Sequence, residues 1–264
     1  MERLRLPSPP WLIAVLLGVA IAASGYAKLD PEGLQAIWLF DGDDGAQVRD
    51  SSGNGHHGEF KGAPERVDGV FGSALSFDGS VDWVEMTDWS TPELADFSLG
   101  CWVNPADTQK QWANILDSHQ EPPTRGVSYE QASDNTNTFY LAWGSDEGWK
   151  GVDLQVSLDA DEWQHLVGVR EGKELVFYRD GELTGGGGRA GNELVREGEA
   201  NFRIANWVNG GRNFAGVLDE VFLFSRALSE REVRLVRNSG LRVALDVSPE
   251  GKLAMTWASM KKTR

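Results

Sequence analysis

Val167-Gly-Val-Arg-Glu-Gly-Lys-Glu-Leu-Val-Phe-Tyr-Arg-Asp-Gly181 reads as two strands turning at Glu171-Gly-Lys173, with a second turn at Asp180-Gly181 leading into Glu182. The same grammar holds on both sides of this hairpin. Between Leu34 and Phe224, short alternating or apolar runs are separated by Gly, Asp, Asn and Pro clusters, the pattern of an all-β sandwich or barrel. The strand candidates are 36–41, 74–77, 81–86, 97–103, 113–117, 138–143, 151–156, 164–170, 174–179, 202–205 and 216–224. So many strands are too numerous for one sheet of ordinary size. They predict two antiparallel sheets packed face to face as a β-sandwich.

Two local signals punctuate the C-terminal half. Gly185 to Gly188 are four consecutive glycines, with no side chains to pack, and read as a flexible loop. Without a following Lys-Ser/Thr they do not form a phosphate cradle. Ser229-Glu-Arg-Glu232 is a capping box, and Val233, Leu235 and Val236 after it predict a short helix to about Asn238, ended by Gly240. Residues 241–264 read as a tail, either an extra strand pair or a docking segment. Its Val243, Leu245 and Val247 alternate before Pro249.

At the other end, Arg3 and Arg5 precede the apolar run Trp11 to Ala23, with Gly25 and Ala27 beyond it. This is the layout of a secretory signal peptide over residues 1–27, and the run falls short of the about 20 apolar residues that span a bilayer. An uncleaved N-terminal anchor is the alternative. The expectation is an exported, extracytoplasmic protein with no membrane insertion after cleavage, a sandwich over 28–240 and the tail at 241–264.

The chain carries 40 acidic against 25 basic residues, a formal net charge of -15. Such a field repels phosphate backbones and anionic lipid, which argues against nucleic acid as a partner, while cations and neutral sugars stay open. Acidity that merely keeps the protein soluble is the plainer account. Cys101 is the single cysteine, so no intramolecular disulfide forms. It lies in phase with Phe97, Leu99 and Val103 and reads as a buried thiol.

Four stretches, in order, resemble laminin G-like domains of the concanavalin A-like lectin/glucanase superfamily. The first is Trp38-Leu-Phe-Asp41 leading to Asp50-Ser-Ser-Gly-Asn-Gly-His-His-Gly58, and the second Gly72-Ser-Ala-Leu-Ser-Phe-Asp-Gly79 with Val81-Asp-Trp-Val84. The third is Phe97 to Pro105 with Trp163-Gln-His-Leu-Val167, and the last Phe214 to Val221 with Ser225-Arg-Ala-Leu-Ser-Glu230. The resemblance covers 33–238 and implies a concanavalin A-like jelly roll. The functions of that family are diverse, so it says less about activity.

The resemblance also implies a structural calcium ion. Members often hold one on the outer face of the sandwich, through a carboxylate of the final strand motif and carbonyls near the N-terminal strand, and Asp219 stands in that position. Calcium takes six to eight hard oxygens, which the Gly-rich turn 50–55 can help to supply. The implied ligands are Asp50 and Asp219, with Asp41, Asn54 and the carbonyl of Gly53 as secondary ones. The competing structural reading has Asp50 opening an Asx-turn and Asp219 pairing with a base such as Arg226. Asp41 to Gly45 looks like the start of an EF-hand loop, but Ser52 stands where the twelfth-position Glu belongs. His56 and His57 are adjacent and point apart on a strand, which argues against a transition-metal pair.

Glucanases of the superfamily carry a Glu-x-Asp-x-x-Glu strand, because glycoside cleavage needs an acid and a nucleophile about 5 Å apart. This chain has no Glu-x-Asp, and no His-Glu-x-x-His, Gly-x-Ser-x-Gly or P-loop. The expectation is a lectin-like, non-catalytic module. Of 11 tryptophans only Trp11 lies in the leader. Trp38, Trp102 and Trp163 read as packing, and Trp83 and Trp89 are ambiguous. Trp112, Trp143, Trp149 and Trp207 fall near Gly, Asp and Asn, where an aromatic tip can face a ligand. The candidate ligand surface combines Trp143, Asp146 and Trp149 with Asn206, Trp207 and Asn209, joining stacking rings to amide and carboxyl groups able to bond glycan hydroxyls. Tryptophans that only pack the loops are the plain alternative. A protein partner at the same loops, in an interaction or surface-assembly module, is the second functional reading.

Overall fold

The computed structural model describes residues 28–42, 45, 47–90, 94–119, 126–132, 136–145, 147–151, 154–184, 188–189 and 201–248. The leader at 1–27 and the segment 249–264 lie outside the described residues. The first strands are β1 Leu34–Trp38, β2 Gln47–Val48, β3 Gly58–Lys61, β4 Glu65–Asp68, β5 Ser73–Asp78 and β6 Trp83–Met86. Then come β7 Phe97–Pro105, β8 Asn114–Asp117, β9 Val127–Gln131, β10 Thr138–Ser145, β11 Gly148–Lys150 and β12 Gln155–Ser157. The last are β13 Gln164–Glu171, β14 Glu174–Arg179, β15 Glu182–Leu183, β16 Gly188–Arg189, β17 Phe202–Ile204 and β18 Ala215–Phe224, followed by helix α1 Glu230–Ala244.

Two antiparallel sheets result, as the strand pattern predicts. One runs β15-β14-β13-β7-β18-β5-β4, with β1 added to β18 and β16 to β14. The other runs β11-β10-β9-β8-β17-β6-β3-β2, with β12 added to β10. The hairpin forms where it is read, with Glu171 opposite Glu174 across Gly172 and Lys173. At the next turn Asp180 and Gly181 both take positive φ, 55° and 79°, the geometry that matches strand twist in a two-residue hairpin loop. Of the run expected as a strand over 151–156 only Gln155 and Val156 are strand, in β12, because Gly151 turns the chain at φ 84° after β11. Gly188 is paired in β16 rather than part of a loop, opposite Leu175, while Gly185 to Gly187 lie outside the described residues.

Period-2 alternation fills the space between the sheets. Leu99, Cys101, Val103, Leu166 and Leu218 of the first sheet meet Leu116, Tyr129, Phe139, Leu141, Phe202 and Ile204 of the second in one buried cluster. The Tyr129 hydroxyl crosses this core and donates to the Leu99 carbonyl at 2.8 Å, so its polar tip is satisfied. Cys101 is buried as expected, and burial pushes its thiol pKa up.

A second core covers the far face of the first sheet. Val167, Val169, Phe222 and Phe224 pack beneath Val233, Val236, Leu241 and Ala244 of α1. The capping box is present at Ser229 and Glu232. Gly240 does not end the helix. It kinks it, at φ 72° and ψ 159°, and a further turn follows because the buried Glu220 carboxylate accepts from the Leu241 amide at 2.7 Å and caps the restart. Leu245 and Val247 join this core, so the described part of the expected tail packs on the sandwich. Among the described residues, no helix is long and apolar enough to cross a membrane.

Candidate ligand-binding face

The outward face of the second sheet carries side chains that alternate with the core residues of the same strands. On β9 these are Ser128 and Glu130, on β10 Tyr140, on β8 Asp117, on β17 Arg203, and on β6 Trp83 and Glu85. Several are buried although they face away from the core, Asp117 to 0% and Glu130 to 7% relative exposure, so loops rise around them.

Aromatic groups line the end of this face. The His119 ring lies 4.2 Å from Trp149 and 5.7 Å from Trp207, centroid to centroid. The Arg212 guanidinium sits 4.1 Å over Trp207 and 5.9 Å from Trp112. Arg212 also pairs with Glu130 at 2.7 Å, and the Tyr140 hydroxyl bonds the same carboxylate. At the neighbouring strand Arg203 holds Glu85 at 2.6 Å, donates to the Trp207 carbonyl and lies over Trp83.

Four buried polar atoms of β8 and the 206–213 segment make no hydrogen bond: Asp117 Oδ1, Asn206 Oδ1, Trp207 Nε1 and Asn213 Nδ2. Such atoms are rare in folded proteins, and together they offer two acceptors and two donors. Burial pushes the Asp117 pKa up to about 7, with the Glu130 charge adding to the rise and the Val208 amide, which donates to Oδ2 at 2.9 Å, opposing it.

The two loops named for the ligand surface are therefore brought together, with His119 between Trp149 and Trp207. Asn206 lies in the polar group, and Asn209 is exposed on the turn closed by the Gly210 amide bonding the Trp207 carbonyl. Trp143 is a correction. It is in phase with Phe139 and Leu141, is 0% exposed, packs edge-on to Phe97 and lies under the backbone of Gly151, so its ring has no face to offer a ligand. Asp146 lies outside the described residues. Asp117, His119, Glu130, Tyr140 and Arg212 belong to this face and were not singled out from sequence. They come from strands whose pairing no local motif encodes. Of the ambiguous tryptophans, Trp89 is core beside Trp38 and Trp83 lies half-buried on the face.

The residues expected to ligate calcium are not gathered as a ligand set. Asp50 Oδ1 accepts from the Ile37 and Ser52 amides, and Oδ2 from the His56 amide and the Ser52 hydroxyl. Its lone pairs are filled by donors that close the 50–55 turn, which is the Asx-turn reading. The Asn54 amide nitrogen donates to the Leu34 and Gln35 carbonyls, which occupies the oxygens such an ion would use, and Gly53 turns the chain at φ 90°. Asp219 accepts from the Val70 and Phe71 amides and Asp41 pairs with Arg242 at 2.8 Å. Arg226 pairs with Glu232, not with Asp219. Among the described residues, no group of three or more His, Cys, Asp or Glu is placed to hold a metal. Asp50, Asn54 and Asp41 are thus held by protein partners, while Asp219 Oδ1 is buried without a hydrogen bond.

A two-sheet jelly roll with a helix over one sheet and a polar, aromatic-rimmed outer face on the other defines the class: an all-β sandwich domain. The chain belongs to the concanavalin A-like lectin/glucanases superfamily, whose laminin G-like family model matches residues 78–234. Among solved structures it is similar to domain 4 of AbnA, a GH43 extracellular arabinanase from Geobacillus stearothermophilus, in complex with arabinotriose. There the identity is 21% and the TM-score 0.58, over 76% of this chain and 96% of that one. It is also similar to the binding domain of Paraclostridial Mosquitocidal Protein 1, at 14% identity and TM-score 0.58 over 78% of this chain and 52% of that one. The binding domain of botulinum neurotoxin DC in complex with rat synaptotagmin II matches at 13% identity and TM-score 0.61, over 78% and 51%. The chain thus spans about half the length of the toxin chains it matches. At these identities the likeness is one of fold.

Proposed function

We propose that this protein is an exported, non-catalytic binding module that holds a glycan on the outer face of its second sheet. The observation that carries this is the gathering of Trp149 and Trp207 around His119 at the end of a face whose strand β8 and 206–213 segment carry buried polar atoms, of Asp117, Asn206, Trp207 and Asn213, that make no hydrogen bond. A sugar ring offers an apolar face to the indoles and hydroxyls to the polar atoms. A solved structure of the same fold, matched over nearly its whole length, is a domain in complex with an oligosaccharide, which supports the reading. The non-catalytic part is supported by the absence of Glu-x-Asp and by Glu130, which is bound to Arg212 and Tyr140 rather than held ready for proton transfer. Export rests on the leader sequence alone, and N-terminal sequencing of the protein recovered from its host tests it.

The module is tested by probing the full chain against a broad glycan and polysaccharide array. Specific retention is expected, weakened at least about tenfold by Trp149→Ala or Trp207→Ala, the scale of an aromatic anchor in a binding site. A blank array from folded protein would sink the glycan reading and leave a protein partner at the same rings.

We give calcium no part in the proposed binding. Adding calcium or a chelator is expected to move the melting temperature by less than about 1 °C, since only an ion that binds the folded state stabilises it by mass action. A larger calcium-dependent rise would restore the ion to the fold.

A further inference from the structure

We infer that the face around Trp207 selects neutral, hydroxyl-rich sugars and turns away glycans that bear carboxylate or sulfate groups; this rests on the glycan reading above. The first ground is the chemistry of the open valences. Asp117 Oδ1 and Asn206 Oδ1 accept, while Trp207 Nε1 and Asn213 Nδ2 donate, and all four are buried without hydrogen bonds. A hydroxyl both donates and accepts, so vicinal hydroxyls of a sugar can meet such a mixed set. A carboxylate or sulfate only accepts, and would leave the two acceptors facing its oxygens.

The second ground is where the positive charge has gone. An anionic ligand is ordinarily held by Arg or Lys whose charge-assisted bonds are available to it. Here Arg212 is bound to Glu130 and Arg203 to Glu85, while Lys61 lies at 3.0 Å from Glu59 and 3.6 Å from Glu85. Each described cation on this face is already matched by a carboxylate. Asp117 is not: among the described residues no Lys or Arg pairs with it, and its carboxyl is held by neutral donors only, the Val208 amide on Oδ2 at 2.9 Å with the Ser128 hydroxyl and the His119 amide. When ionised it contributes an uncompensated negative charge beside the rings, and the chain as a whole carries -15. Near and far fields therefore oppose an anion.

The experiment uses pairs of glycans that differ in charge: methyl-esterified polygalacturonate against polygalacturonate, xylan against glucuronoxylan, and lactose against sialyllactose. Binding of the full chain is measured at pH 8, on the basic side of the Asp117 pKa of about 7. The neutral member of any pair that binds is expected to bind at least about tenfold tighter, about 1.4 kcal/mol. Asp117→Asn, which keeps the shape and one acceptor but removes the charge, is expected to narrow that ratio, with its melting curve confirming the fold. Equal or tighter binding of the acidic members overturns the inference and leaves the glycan reading standing. A ratio unchanged in Asp117→Asn also overturns it, because the charge would then not be what discriminates. If folded protein binds neither member of any pair, the glycan reading itself fails and takes the inference with it.

Discussion

Between pH 5 and pH 8 the free energy of unfolding is expected to fall by on the order of 5 kcal/mol, measured by urea unfolding at each pH. Three buried carboxyls cause it. Burial pushes Asp117 and Asp219 up to about 7 and Glu220 up to about 8, and the neighbouring charges of Asp219 and Asp41 raise Glu220 further. Each has a folded pKa above its unfolded value. The stability it contributes is complete below about pH 4 and is lost as pH rises through 7 to 8, because the unfolded chain releases the proton first. His165 acts in the opposite direction. Burial lowers it to about 3, so below about pH 6.5 the unfolded chain takes up a proton that the folded one refuses, which trims the slope on the acid side. Glu85 and Glu232 are lowered by their arginines, so their losses come only at still lower pH. Glu220→Gln should flatten the profile above pH 6 while still accepting the Leu241 amide bond that restarts the helix. A profile that is flat in the wild type, or unaltered in Glu220→Gln, would show that these groups are not held protonated.

Trp143→Ala is expected to cost about 3–5 kcal/mol of stability, the range for removing a large aromatic from a core. Its ring is fully buried, packs against Phe97 and has the Arg170 guanidinium 5.3 Å from its centroid. Arg170 is itself buried, bonded to the Ala95 carbonyl, so deleting the ring removes a surface that shields a charge as well as creating a cavity. Trp149→Ala and Trp207→Ala, at half-buried rings on the outer face, should cost clearly less stability while removing binding. A Trp143→Ala variant that unfolds at the wild-type urea concentration would return that ring to the ligand surface.

What could be read in the chain was what local chemistry decides. The 167–181 hairpin and the Ser229 capping box are set by residues within a few positions of one another, and both form as expected. Trp143 was legible too, since counting by twos from Phe139 and Leu141 places it inward. The Gly144 beside it suggested a loop instead. The helix restart after Gly240 was not legible, because it depends on Glu220 from β18, far away in sequence. The same holds for the proposed binding face. Trp149 and Trp207 could be named as exposed rings, but the group between them, His119, and the acid Asp117 reach the site only through the pairing of β8 with β9 and β17. The fate of Asp50 was open between a cation ligand and a turn cap until its donors were known.

The Leu29 amide donates to the Ala244 carbonyl at 2.9 Å and Lys28 pairs with Asp246, so the two ends of the described body are stitched together on the helix-covered layer. Residues 28 and 248, where the described body begins and ends, therefore lie on the layer remote from Trp149 and Trp207. The two ends of the described body thus share its back, opposite the proposed binding face.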